Sequence, residues 1–176
     1  MNLRPRLQIQ AALKAMREVI IPALDPDSKM AQEQALLVVG MLNLLAQTLP
    51  LAYRYDRDEL SRWLRVAQTL QDEGRRFEDR PVVFEALSES AKSAADVLDR
   101  ARAGPEELES AVADMRARIG EAVTAVFALT PEPAQRAACA HLLAASAEQL
   151  VRERAWVLCQ GWESSPQTLP DIESLI

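Results

Sequence analysis

"ALLVVGMLNLLAQTLP", residues 35–50, is the most apolar stretch of the chain, and its reading decides the fold. It can be a membrane span, a helix lining a ligand, or the innermost helix of a bundle. Its continuous apolar part is only about 12 to 15 residues, interrupted by Asn43 and Gln47, whereas a helical span needs about 20. The membrane reading fails on length and on polarity. A helix that is apolar all round and stays in water is normally buried. The stretch is therefore expected to be the central helix, with Leu37, Val38, Met41 and Leu45 in the core. Leu143 and Leu150 of a later helix are expected there too. Gly40 in mid-helix costs about 1 kcal/mol against Ala, which close approach by a neighbouring helix would offset.

Working outward, prolines and glycines mark where helices start and stop. A first helix is predicted over about residues 4–24, with Pro5 in its first turn. Its stripe is Ile9, Leu13, Met16, Ile20 and Leu24, and Pro22 kinks it or ends it early. "DPDS" at 25–28 is turn chemistry, and Asp27 or Ser28 can cap the second helix, which Pro50 ends. A third helix, from about Tyr53 or Asp56 to Arg76, carries Leu60, Trp63, Leu64, Ala67 and Leu70, with Gly74 near its stop. The fourth begins near Pro81 and repeats Phe84, Leu87, Ala91, Ala94, Leu98 and Ala101.

Gly104-Pro105 breaks the chain before the cleanest pattern of all. Over 105–129, Leu108, Val112, Met115, Ile119, Ala122, Val126 and Leu129 alternate steps of three and four. Such a stripe is a coiled-coil seam or one helix of an intramolecular bundle; the bundle is the expectation. Thr130 and Pro131 then open a sixth helix that is expected to reach about Gly161. Its small-residue stripe, Ala140, Ala144, Ala147, Val151 and Ala155, would let the Gly40 helix approach. The expected fold is all-α and single-domain: a bundle of five or six mostly antiparallel helices over 1–163, with a C-terminal tail over 164–176.

The composition agrees with a globular helical chain. It has 176 residues, 49% of them hydrophobic, and strand-favouring residues are sparse. The formal net charge of -6 provides no broad basic surface for a phosphate backbone, so nucleic acid is not an expected partner. "MNLRPRLQIQ" has no apolar signal region, which makes a cytoplasmic location the expectation. Cys139 and Cys159, read as lying on one helix, would stand roughly 30 Å apart at about 1.5 Å per residue, too far for a disulfide.

Reactive constellations are missing. His141 is the one histidine, so a helical di-iron set cannot form, and no Cys-x-x-Cys is present for zinc. Cys139 and His141 are two residues apart and point to different faces of a helix. The glycines at 40, 74, 104, 120 and 161 are isolated and form no phosphate loop. Glu85, Glu89, Lys92, Asp96 and Asp99 read as a solvated face. No metal, cofactor or enzymatic activity is expected. A helix-turn-helix reading fails because the second helix is apolar rather than basic.

Two features remain open. His141, in "CAHLLAA", is a satisfied core histidine that could bond Asn43, or a polar handle in an apolar ligand pocket with Asn43 on its border. In "VRERAWVLCQGWE", Arg152, Arg154, Trp156 and Trp162 are an anion or aromatic patch, or two Trp rings packed under Arg stems.

The segment "AALKAMREVIIPALDPDSKMAQEQALLVVGMLNLLAQ", residues 11–47, resembles the start of a family of uncharacterised bacterial helical proteins. These share an amphipathic helix ending in a Pro-Ala-Leu-like turn, here Pro22, Ala23 and Leu24, followed by an apolar helix. Some accompany acyl-CoA dehydrogenases and kinase-like phosphotransferases. Where the family often has a Phe-His pair, this chain has Met30 and Ala31. The resemblance implies a soluble accessory role and carries no catalytic residue over.

Function is therefore expected to be non-enzymatic: a soluble interaction or accessory protein that self-associates as a homodimer. Leu169, Ile172, Leu175 and Ile176 of the tail are the candidate interface, with Val123 and Phe127 falling off the fifth helix's stripe. The alternative is a carrier or sensor of an apolar small molecule in a pocket between helices, with Asn43 and His141 as its polar groups.

Overall fold

A computed structural model describes residues 4–75, 81–129 and 132–176, and all its regular structure is helical. Seven α-helices are present among the described residues, more than the five or six expected. The extra ones arise within the first run. It divides into α1 (Pro5–Ala15), a π-helical turn (Met16–Ile20) and α2 (Ile21–Ala23). Pro22 has no N–H to return to the carbonyl four residues back and its ring crowds that carbonyl. Just before it, the Ile21 N–H bonds Met16 O, five residues back, which widens the turn.

The other helices are α3 (Lys29–Thr48), α4 (Ala52–Gly74), α5 (Val83–Asp99), α6 (Pro105–Leu129) and α7 (Glu132–Trp156). Thr130 and Pro131, the expected cap of α7, lie outside the described residues. α7 stops at Trp156 rather than near Gly161, and a 3-10 turn (Leu158–Gln160) follows. Gly161 then takes φ 72, the left-handed region that glycine enters without steric cost. Ser28 stands at the start of α3 but makes no capping bond. Instead Gln32 Nε2 reaches back to the carbonyls of Asp25 and Pro26 at 3.3 and 3.1 Å.

The chain groups into two compact units, Met1–Ala52 with Arg152–Leu175, and Tyr53–Val151 with Ile176.

The second unit is an up-down-up-down arrangement of four helices. Arg57 Nη2 donates to Leu98 O at 2.6 Å, and at the other end of α4 Gly74 lies against Phe84, so α4 and α5 run antiparallel. Ser90 bonds Asp114, and Arg100 bonds Glu107 at 3.1 Å, setting α6 antiparallel to α5. The α6 stripe is buried as the spacing predicts, from Leu108 through Met115 to Val126; the Leu129 side chain lies outside the described residues. It meets Leu60, Ala67 and Leu70 of α4, Phe84, Leu87 and Ala94 of α5, and Ala138 of α7 in one core. At the head of α6, Glu107 Oε2 accepts the Gly104 N–H at 2.8 Å. That bond, with Arg100 beside it, holds the Glu107 carboxyl below the usual carboxylate range.

The first unit reverses the reading of residues 35–50. α3 packs on α1 through its small inner face, where Ala35 and Val39 are buried, and Leu13 of α1 is buried too. Its large side chains face outward: Leu37 is 56% exposed and Met41 65%, and Leu36, Val38 and Leu45 are exposed as well. α3 is not the central helix. Apolar residues occupy every side of it, so periodicity could not say which face is inside. The unit offers few helices to cover the rest.

α7 departs in the same way. Leu143 is 69% exposed and Leu150 is also exposed, as are Ala140, Ala144 and Ala147 of the expected small-residue stripe. Its inner face is the set Ala138, Leu142, Ala145 and Gln149, stepping by four, three and four. A polar Gln149, buried and hydrogen-bonded, takes the place that apolarity alone would assign to leucine.

Candidate functional site

Two places gather chemistry, one in each unit. The first is the outward face of α3. Leu37, Met41 and Leu45 follow one another at steps of four, with Leu36 and Val38 beside them. Trp162, 76% exposed, joins this face by lining a shallow recess with Leu36, Leu37, Gly40 and Met41. Of the two readings of residues 151–163, the packed pair of Trp rings is thus not what forms. Trp156 is half-buried and Trp162 is on the surface.

The arginines of that segment are occupied. Arg154 forks onto Glu163, with Nε–Oε2 and Nη2–Oε1 both at 2.8 Å. The fork holds the Glu163 carboxyl below the usual carboxylate range. Arg152 Nε donates to Leu175 O at 3.2 Å. Gly40 does meet a close neighbour, but it is not a helix of small residues. Gln160 Nε2 donates to the Gly40 carbonyl at 3.0 Å, and a Cβ on Gly40 would stand 3.3 Å from Gln160 Oε1.

The expected site residues fall as follows. Asn43 is half-buried and its Oδ1 accepts from Arg17 Nη2 at 3.1 Å, inside the first unit. His141 belongs to the second unit and is exposed. The two are therefore not assembled as a pair within either unit. Leu169 and Ile172 are half-buried and line a cavity of the first unit with Thr48, Leu51 and Trp156. Leu175 and Ile176 are half-buried too. The tail is held by short turns of its own, Asp171 Oδ1 accepting the Glu173 N–H at 3.0 Å.

The second place is a cavity of about 180 Å³ between α4 and α7, inside the second unit. His141 stands at its rim with Arg65, and Leu70, Ala138 and Leu142 give it an apolar lining. Arg62 also lines it, although it is only 6% exposed. Arg62 Nε bonds Asp58 Oδ2 at 2.8 Å and Nη1 bonds Gln149 Oε1 at 2.5 Å. Gln149 Nε2 in turn donates to Tyr55 Oη at 3.2 Å. Arg62 Nη2 is buried and has no partner among the described residues. Beside the network, the Trp63 indole donates to Glu59 Oε1 at 3.0 Å, and Arg116 both pairs with Glu59 and lies 5.5 Å over the Trp63 ring. Burial raises the Asp56 carboxyl above its ordinary range, and the charges of Glu59 and Glu109 add to that.

Sequence reading missed Arg62 entirely. It saw one more charged residue on an amphipathic helix, and the position falls one turn before Val66 on the edge of the apolar stripe. The available signal was the pair Asp58 and Arg62 at i and i+4, which marks a local ion pair but not its burial.

Among the described residues, no single helix is long and apolar enough to cross a membrane. No family model, curated protein or solved structure matches the chain, so the geometry itself carries the reading.

Proposed function

We propose that the chain is a non-enzymatic interaction protein that self-associates through the outward face of α3. The observation that supports this is the row Leu37, Met41 and Leu45, flanked by Leu36 and Val38, turned to solvent on one helix. Scattered exposed leucines are ordinary, but a contiguous apolar face marks an interaction surface. A two-fold dimer is the commonest way to cover one, because the same ridge meets itself. The tail is the lesser contributor, since Leu169, Ile172, Leu175 and Ile176 are already half-buried. The accessory role implied by the N-terminal resemblance fits the same reading.

Sedimentation of the full chain at tens of micromolar, a rough range for a weak-to-moderate complex, tests it. The wild type is expected to sediment as a dimer and the double variant Leu37→Glu/Met41→Glu as a monomer of equal helicity. Leu143→Glu, equally exposed on α7, should leave the dimer intact. A monomeric wild type sinks the proposal. So does flotation of the wild type with phosphatidylcholine vesicles in place of self-association, because α3 would then be a lipid-facing helix.

A further inference from the structure

We infer that the cavity between α4 and α7 takes up a small uncharged apolar molecule, about the size of a benzene ring. This goes beyond self-association and rests on different residues. Side-chain size builds the cavity. Its α7 wall includes Ala138, Leu142 and Ala145, and its α4 wall includes Trp63, Val66 and Leu70. Each set steps by three and four, so each is one face of its helix. Two of those three α7 residues are alanines, whose methyl groups reach only a short way toward α4, and about 180 Å³ stays open. Protein interiors are otherwise close-packed, and side chains that line a void forfeit dispersion contacts. A guest that restores those contacts is stabilised there.

Burial orders the lining and selects the guest. Leu70 and Ala138, 2% and 1% exposed, form the floor, whereas Arg65, His141 and Glu148 are exposed and mark the mouth. A water held at the floor would need about two to four polar partners. The polar residue buried beside the floor, Arg62, has Nε on Asp58 and Nη1 on Gln149, and its Nη2 is sealed in, with no surface to offer. A charged guest would lose its hydration there and find no free counter-charge. An apolar body is what the floor suits. An apolar cavity of about 150 Å³ is enough for benzene, and the volume here, about 180 Å³, is well below the range of about 300–1,000 Å³ usual for drug-sized ligands. The guest is therefore a single ring or its aliphatic equivalent.

The experiment titrates the full-length protein with benzene and toluene, and with benzoate and benzylammonium as charged counterparts, following the His141 ring and Trp63 indole signals by NMR. His141 is the one histidine of the chain, so its ring signal is its own. The hydrocarbons should shift both signals with a Kd of about 1 mM or tighter, and the charged analogues should bind at least about tenfold more weakly, because their charge loses water without gaining a partner. Ala145→Phe fills the half-buried lining from the α7 side and should abolish binding with helicity retained. Val66→Ala enlarges the cavity instead, so it does not depend on a packed-in ring. It should turn the preference toward the larger guest indole over benzene by about tenfold. Charged analogues that bind as well as the hydrocarbons, binding unchanged in folded Ala145→Phe, an unaltered preference in Val66→Ala, or no shift at His141 and Trp63 with about 10 mM benzene each overturn the inference.

Discussion

At the scale of single residues, glycines that look alike in the sequence are under opposite constraints. A Cβ on Gly74 would stand 2.6 Å from the Phe84 ring, which is fully buried and has no room to yield. A Cβ on Gly120 would meet nothing within 4 Å, and the residue is exposed in the middle of α6. Gly74→Ala is therefore expected to destabilise by about 1–3 kcal/mol, the usual cost of overpacking. Gly120→Ala should stabilise by about 0.5–1 kcal/mol, because alanine loses less backbone entropy in a helix. Urea denaturation of the two variants checks both signs. Equal effects at the two positions would mean that Phe84 does not pack on Gly74. In the sequence Gly74 reads as a helix stop, and α4 does end there. That it also makes room for an aromatic ring depends on a residue ten positions on, which no local pattern reveals.

At the scale of elements, α3 and α6 show when apolar patterning can be trusted. In α6 the large apolar residues occupy one side, and charged residues flank it with small ones opposite, so one orientation buries the most apolar surface without burying charge. In α3 every side is apolar, so all orientations look alike from the sequence and packing chooses. Leu108→Ala in α6, at a fully buried position, is expected to cost about 2–5 kcal/mol. Leu45→Ala in α3, 48% exposed, should cost less than about 1 kcal/mol. Measuring both under conditions where the chain is monomeric isolates folding from association. A larger loss at Leu45 would restore α3 to the core. α7 is the intermediate case: its leucines and alanines surround the helix, and the face turned inward is the one carrying Gln149, where Arg62 and Tyr55 provide hydrogen bonds.

At the scale of the whole molecule, the chain holds two compact units. Tyr53–Val151 has a complete core of its own, fed by α4, α5, α6 and α7. Residues 53–151 expressed alone are therefore expected to be helical and to melt cooperatively, as measured by circular dichroism and one-dimensional NMR dispersion. A non-cooperative melt would show that the core of this unit is incomplete without the remaining segments. No linker composition announces the division, because the boundaries fall at the start of α4 and inside the last turns of α7. A unit closed by one continuous helix leaves no Gly- or Pro-rich seam to read.

By itself the sequence determined the helical class, most helix ends, and the inward face of α6. These follow from proline and glycine chemistry and from one-sided apolar periodicity, which act within a few residues. Only the tertiary structure decided that residues 35–50 present their large side chains to solvent, that α7 turns Gln149 inward, and that Arg62 is buried beside a cavity. Each depends on what stands opposite: a small inner face suffices for α3 because α1 is its main cover, and a guanidinium can be buried at 62 because Asp58 and Gln149 meet it there. Such pairings join residues 87 positions apart, as between Arg62 and Gln149, and their energy exists only once the helices have docked.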